Sequence, residues 1–290
     1  MRLLVFGAGG MLGHKLIQTL GPTHEVFGTA RGSVKQLEPS VASGRLLAEV
    51  SVEDPESIRR AVETVKPEVV INAIGIIKQL PDSKNVITTL TVNSIFPHRL
   101  AELGKEFGFR LITVSTDCVF SGSRGNYSER DIPDAVDLYG KSKNLGEVVE
   151  DNCLTLRTSI IGHEIGSAHS LVDWFLSNRG GNVKGYAGAI YSGFPTVAFA
   201  GIIDNLIRDY PELSGLYHVS SDPISKYDLL NLINEAYAAD VTIERNEEFQ
   251  IDRSLDSTKF RTVTGFAPMS WDKMISLMAE DAKIKDKWNQ

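Results

Sequence analysis

Cysteine is nearly absent. The 290 residues hold two, Cys118 and Cys153, with no CxxC and no metal-type spacing. That excludes a disulfide scaffold and leaves two reduced thiols in a reducing compartment as the expectation. Long apolar runs are missing too. The longest, VVINAIGII at 69–77, is far shorter than a bilayer span. The opening MRLLVFGAGG breaks into glycines too soon for a signal-peptide core. Positive charge is not in excess: 30 Lys and Arg stand against 37 Asp and Glu, a net charge of −7. This argues against a nucleic acid or an anionic membrane as the main partner. Internal repeats and low-complexity segments are absent. The six histidines, His14, His163 and His169 among them, form no ligand spacing, so no metal is expected. What remains is a cytoplasmic globular chain, long enough for one large α/β unit with an appendage.

Apolar strands alternate with amphipathic helices along the first half. LLVFG, HEVFGTA, RLLAEV, EVVINAIG, RLITVST and CLTLRTS read as strands. Between them GMLGHKLIQTL, DPESIRRAVETVKP, VITTLTVNSIFPHRLAELGKEFG and YGKSKNLGEVVED read as helices, with Asp54 as a cap and Pro55 in the first turn of the second. This order predicts a doubly wound parallel sheet with helices on both faces. After Arg157 the texture changes. NVKGYAGAIYSGFP is short and glycine-rich, TVAFAGIIDNLIRDY and LYHVSS read as one more helix and strand of the main sheet, and KYDLLNLINEAYA, DVTIE and WDKMISLMAE read as a small α/β cap. The expected layout is a dinucleotide-binding domain at 1–158, revisited at about 196–220, and a smaller substrate domain from 159–195 and 221–290.

FGAGGMLG places Gly7, Gly10 and Gly13 between the first strand and the first helix. Glycine serves there where the backbone turns tightly, approaches a pyrophosphate and packs helix on strand. The helix N-terminus adds free N–H groups and partial positive charge. In this position the pattern indicates a dinucleotide site. The second strand ends in FGTARGS, with no carboxylate for a ribose 2′-hydroxyl and with Arg31 near the place a 2′-phosphate would occupy. The reading leans to NADP and leaves NAD open. NAIG at 72–75 ends the fourth strand in small residues that let a cofactor lie across the sheet edge.

LYGKSKNLGE contains the only YxxxK of the chain, Tyr139 and Lys143. Four residues make one helical turn, so both share a face. An ammonium near a phenol favours the phenolate and tunes it for proton transfer. The spacing alone is weak evidence. VSTDCVF adds Ser115, Thr116 and Asp117 at a strand end, where open α/β sheets place ligands and where a hydroxyl can polarise a carbonyl. The glycine turn, the threonine and the Tyr–Lys pair together point to a carbonyl reductase site.

These residues resemble the short-chain dehydrogenase/reductase superfamily in its extended branch, and within it the dTDP-4-dehydrorhamnose reductase family. The resemblance also rests on VNSIFPHRLAE, LRTS, GFPTVAFA, GLYHVSS and SLDSTKF and runs nearly end to end. It implies an NADPH-dependent reduction at C4 of a nucleotide-linked 4-keto-6-deoxyhexose, supplying deoxysugars for polysaccharide. It implies Tyr139 as the acid, Lys143 as its tuning cation and ribose ligand, Thr116 as carbonyl ligand and Asn93 as support for the active-site helix. It further implies Gly7, Gly10, Met11 and Leu12 at the pyrophosphate, Ser51 and Val52 at the adenine, and Ala73, Ile74 and Gly75 along the cofactor. Asp117, Cys118, Val119, Phe120 and Ile160 would line the sugar pocket, and a homodimer is implied. The family usually has an aromatic residue where Cys118 stands and tryptophan where Ile160 stands. No glutamate follows Thr116–Asp117, so the base of the related 4,6-dehydratases is lacking; another epimerase or reductase of the branch is the nearer alternative. Charge and location suggest Lys184 and Arg253 for the substrate diphosphate. The rival from another class is a non-catalytic NADP-binding regulator, like the regulatory subunit of methionine adenosyltransferase, which resembles the same family.

Overall fold

The computed structural model describes residues 1–32, 45–78, 81–165 and 170–286. His169, the segment 33–44 and the last four residues of the KIKDKWNQ terminus lie outside that set. Strand β1 (Arg2–Phe6) is buried from Leu3 onward, and β4 (Val69–Asn72) and β6 (Cys153–Thr158) are buried throughout. A strand buried on both faces belongs inside a helix-covered parallel sheet. With β2 (Glu25–Thr29), β3 (Leu46–Leu47), β5 (Arg110–Thr116) and β10 (Gly215–His218) they form a seven-stranded sheet in the order β10-β6-β5-β4-β1-β2-β3. The pairs from β5 across to β3 are parallel. The order reverses at β1, which is flanked by β2 and β4, and such a switch opens a crevice at the carboxyl ends of the strands. Register puts Phe6 beside both Thr29 and Asn72 at that edge.

Helices α1 (Gly13–Leu20), α2 (Pro55–Val65), α4 (Phe96–Phe107) and α7 (Thr196–Asp209) follow β1, β3, β4 and β9 (Phe194–Pro195) along the chain. The start of α2 is the one expected: Asp54 caps the Glu56 N–H at 3.1 Å and Pro55 is its first residue. Leu4, Phe6, Val62, Val70, Phe96 and Leu100 share one core cluster, with Phe6 and Phe96 in edge-on contact at 5.5 Å.

The chain divides into two compact units. One comprises Met1–Val119, Ala135–Arg157 and Ala200–Tyr217, the other Phe120–Asp134, Thr158–Phe199 and His218–Gln290. The division therefore departs from a single block at 1–158, since Phe120–Asp134 groups with the second unit. That unit holds the three-stranded sheet β11-β8-β12, built from Ile224–Ser225, Asn182–Tyr191 and Thr242–Asp252. The glycine-rich 182–191 is thus a ten-residue strand, and DVTIE leads into an eleven-residue one.

Four expected elements are shorter or broken: RLLAEV keeps only Leu46–Leu47 as strand, and the helix expected over YGKSKNLGEVVED ends at Leu145. The fourth strand stops at Asn72, and the long helix at 86–107 is three pieces: α3 (Val86–Leu90), a π turn (Thr91–Ile95) and α4. Pro97 has no N–H for the carbonyl of Asn93, four residues back, so the regular ladder fails there. The wider turn is closed instead by Phe96 N–H on Thr91 O.

Candidate active site

Gly7 has φ +91°, a conformation open to glycine, and a Cβ there would strike Ala73 and Ile74. Gly10 N–H donates to Gly7 O at 3.0 Å. A Cβ on Gly13 would run into the Gly7 carbonyl. Three glycines thus fold the turn flat against the end of β4 and leave Gly9 and Gly10 exposed, a cradle that suits a pyrophosphate. Ala73 and Ile74 border it, Gly75 lies beside the Asn93 side chain, and Met11 and Leu12 lead into α1. Arg31 follows β2 and is exposed. Ser51 and Val52 stand at the turn into α2, where Ser57 Oγ accepts from Ser51 N–H at 3.0 Å.

Thr116 ends β5 and is buried. Its Oγ1 accepts from Cys118 N–H at 3.1 Å and lies 3.1 Å from Asp117 Oδ1. The Tyr139 side chain hydrogen-bonds Thr116. Tyr139 sits in α5 (Leu138–Leu145), whose start is capped by Asp137 Oδ1 accepting from Gly140 N–H at 2.9 Å. Gly140 lets the helix approach, because a Cβ there would meet the Cys118 carbonyl. Asn93 fastens the helix from behind. Its Oδ1 accepts from Ile76 N–H at 2.8 Å, and its Nδ2 donates to Ile76 O at 3.0 Å and to Ser142 Oγ at 3.1 Å. Ser142 Oγ in turn donates to Tyr139 O at 2.9 Å.

Lys143 is buried and its Nζ donates to Val114 O at 2.8 Å. Burial pushes its ammonium down to about 8, against the Glu147 carboxylate, which raises it. Burial pushes the Tyr139 hydroxyl up, with the charges of Cys118, Asp117 and Asp137 adding to the effect and the Thr116 hydrogen bond opposing it. The phenol is therefore held protonated, ready to act as an acid. The sequence reading, in which the Lys143 ammonium favours the phenolate, is corrected in direction: the Tyr139 hydroxyl is shifted upward, and desolvation is the largest cause.

Thr116, Asp117, Cys118, Tyr139, Lys143 and Asn93 come together around the start of α5. Val119 and Phe120 are buried, and Phe120 stacks on Tyr127 at 4.2 Å. Ile160 is half-buried in the two-residue strand β7 (Ile160–Ile161). Lys184 is exposed on β8, whereas Arg253 Nε donates to Phe120 O at 2.8 Å and secures that backbone. Sequence reasoning missed Asp137 as a cap, Ser142 as the bolt under Tyr139, and the buried Ser115–Glu147–Arg157 cluster. The signals were present in DLYGKSKNLGE: an acidic residue just before the helix and a serine and glutamate at helical spacing from Tyr139 and Lys143. Among the described residues no group of His, Cys, Asp and Glu is arranged to hold a metal, and no helix is long and apolar enough to cross a membrane.

The model of the RmlD substrate binding domain family matches residues 1–284. A dTDP-4-dehydrorhamnose reductase of Aggregatibacter actinomycetemcomitans is 27% identical, over 94% of this chain and 97% of that protein. Methionine adenosyltransferase 2 subunit beta of Mus musculus is 23% identical over 81% of this chain and 72% of its own. The fold matches a dTDP-4-dehydrorhamnose reductase from Bacillus anthracis, solved in complex with NADP, at a TM-score of 0.78 and 22% identity, covering 97% of this chain and 99% of that one. The chain belongs to the RmlD substrate binding domain family of extended short-chain dehydrogenase/reductases.

Proposed function

We propose that this protein is an NADPH-dependent sugar-nucleotide ketoreductase that converts the C4 ketone of a 4-keto-6-deoxyhexose, linked to a nucleoside diphosphate, into an alcohol for deoxysugar biosynthesis. The observation that carries the reading is the joined set Thr116, Tyr139 and Lys143 at the strand edge that also carries the glycine cradle. The cradle suits the cofactor: Gly7, Gly10, Met11 and Leu12 would hold its pyrophosphate, Arg31 its 2′-phosphate, Ser51 and Val52 its adenine, and Ala73, Ile74 and Gly75 its flank. When bound, NADPH supplies the hydride that C4 takes up. Thr116 donates a hydrogen bond to the carbonyl oxygen, and Tyr139 gives that oxygen its proton, leaving a phenolate. Lys143 then stabilises the phenolate and orients the ribose. Cys118 and Asp117 border the sugar. A cytoplasmic location and a homodimer belong to the same proposal.

The test is NADPH consumption with dTDP-4-keto-6-deoxyglucose, with and without a 3,5-epimerase, beside Tyr139→Phe. Epimerase-dependent consumption that the variant loses by about 100-fold or more supports the reading. The likeness to a methionine adenosyltransferase subunit gives a second reading, a cofactor-binding regulator. Tight NADPH binding, no consumption with dTDP-, UDP- or GDP-linked keto sugars, and a stable complex with such a synthetase would establish it instead.

A further inference from the structure

Lys78 stands on the segment after β4 and has no part in the reading above. Its Nζ donates to Asp137 Oδ2 at 2.7 Å and lies 5.6 Å from the centroid of the Tyr139 ring. Its own backbone is held, because Lys78 O accepts from Ser83 Oγ at 3.1 Å. Asp137 uses its other oxygen, Oδ1, to cap α5 at Gly140 N–H. One carboxylate therefore begins the helix that carries Tyr139 and fixes an ammonium over that tyrosine's ring.

The arrangement has a consequence for charge. An aspartate is a good cap, but an asparagine caps as well without the charge. The Asp137 charge disfavours a phenolate at Tyr139. The Lys78 ammonium offsets it and sits where an aromatic face attracts a cation, more strongly once the ring is anionic. Among the described residues, the other charged or titratable groups that bear on Tyr139 are Cys118 and Asp117 from the turn after β5, with Lys143 one helical turn on. The π turn and α3, packed on α5, bring no titratable side chain, and Lys84 on the neighbouring 3-10 turn is exposed.

We propose that Lys78 and Asp137 are a charge-setting pair for Tyr139, in which Asp137 positions the ring through α5 while Lys78 neutralises Asp137 and stabilises the phenolate left after proton donation. Both are positioning residues, and the proposal rests on Tyr139 being the acid. The two side chains are 38% and 42% exposed, so solvent limits the effect to about half a unit to one unit of apparent pKa.

The test compares Lys78→Met, Lys78→Arg, Asp137→Asn and the double variant Lys78→Met/Asp137→Asn. One readout is the basic limb of the kcat/KM profile for reduction. The other needs no turnover: the Cζ chemical shift of Tyr139 in the NADP⁺ complex of ring-labelled protein, assigned with Tyr139→Phe and followed against pH. Lys78→Met should move both upward and lower kcat several-fold with KM little changed. Asp137→Asn should move both downward, the double variant should return near the wild type, and Lys78→Arg should stay there. Asp137→Asn keeps a capping side chain, so with Lys78→Arg it carries the test even if Lys78→Met unfolds. Shifts of the same sign in the two single variants, or no shift in either, would overturn the pair. A wild type that consumes no NADPH with any keto sugar, yet shows opposite Cζ displacements, would sink the reductase reading and leave the pair standing.

Discussion

Arg157 grips Glu147 with two prongs, Nε to Oε1 at 2.7 Å and Nη2 to Oε2 at 2.7 Å, and the side chains are only 4% and 7% exposed. Ser115 Oγ adds a third donor to Oε1 at 2.6 Å. The pair joins the end of α5 to strands β5 and β6, and Glu147 faces Lys143. Removing one partner leaves a buried charge uncompensated, which typically costs about 3–5 kcal/mol. Arg157→Met is therefore expected to lower unfolding stability by about that much, and Glu147→Gln/Arg157→Met to regain a substantial part. Urea unfolding of both variants checks it; an Arg157→Met curve within about 1 kcal/mol of the wild type would refute the role given to the pair.

Lys143 carries a pH signature. Its ammonium is held down to about 8 in the folded protein against an ordinary 10.5. Between those values the unfolded chain binds more protons, so this group makes stability rise with pH across that window; below about 8 its contribution is at its most unfavourable. Cys153 acts oppositely. Burial raises its thiol to about 11 from 9.0, so its contribution falls as pH rises above 9. The difference between wild type and Lys143→Met isolates the lysine. That difference should shift in favour of the wild type by about 2–3 kcal/mol between pH 7 and 10.5. Unfolding measured at several pH values decides; a flat difference would mean that Lys143 is not desolvated.

The glycine turn tolerates no side chain at its third position. In Gly13→Ala the new Cβ would meet the Gly7 carbonyl, which is backbone and cannot rotate away. The expected result is loss of at least about 2 kcal/mol and a large fall in NADPH affinity, read by fluorescence titration. Gly201 is the control. It lies inside α7 with open space around its Cβ position, so Gly201→Ala should stabilise by about 0.5–1 kcal/mol and leave binding intact. Equal behaviour of the two variants would show that the turn is looser than described.

Much of this was legible in the sequence because its signals are local. Buried strands alternate with helices, the glycines stand at one turn, and Tyr139 and Lys143 share a helical face. What escaped depended on neighbours far along the chain. Gly185 and Gly188 carry no strand signal of their own, yet they lie in β8, where Tyr227 and Ile243 press on the first and Gln250 on the second, leaving no room for side chains. The π turn follows from Pro97 denying Asn93 a partner, a break that apolar periodicity does not register. Lys78 and Asp137 are 59 residues apart and meet only because β4 and β5 are paired.

Asn93 tests the link between that π turn and the chemistry. In the turn its side chain makes three hydrogen bonds, two to the backbone of Ile76 and one to Ser142, and Ser142 supports Tyr139. Its backbone also meets α5 closely, since a Cβ on Gly146 would strike the Asn93 carbonyl. Asn93→Ala leaves the buried Ile76 N–H and carbonyl without these partners, and a destabilisation of about 2 kcal/mol or more is expected. Asn93→Asp keeps the acceptor for Ile76 N–H but turns a carboxylate toward Ile76 O, so it should be no better. Both variants should bind NADPH nearly as tightly as the wild type while kcat drops, because the cradle of Gly7 and Gly10 is untouched and the seat of Tyr139 is not. Cofactor titration beside steady-state kinetics separates the two effects. If kcat stayed at the wild-type level in folded Asn93→Ala, the hydrogen-bonded path from Asn93 through Ser142 to Tyr139 would be structural only.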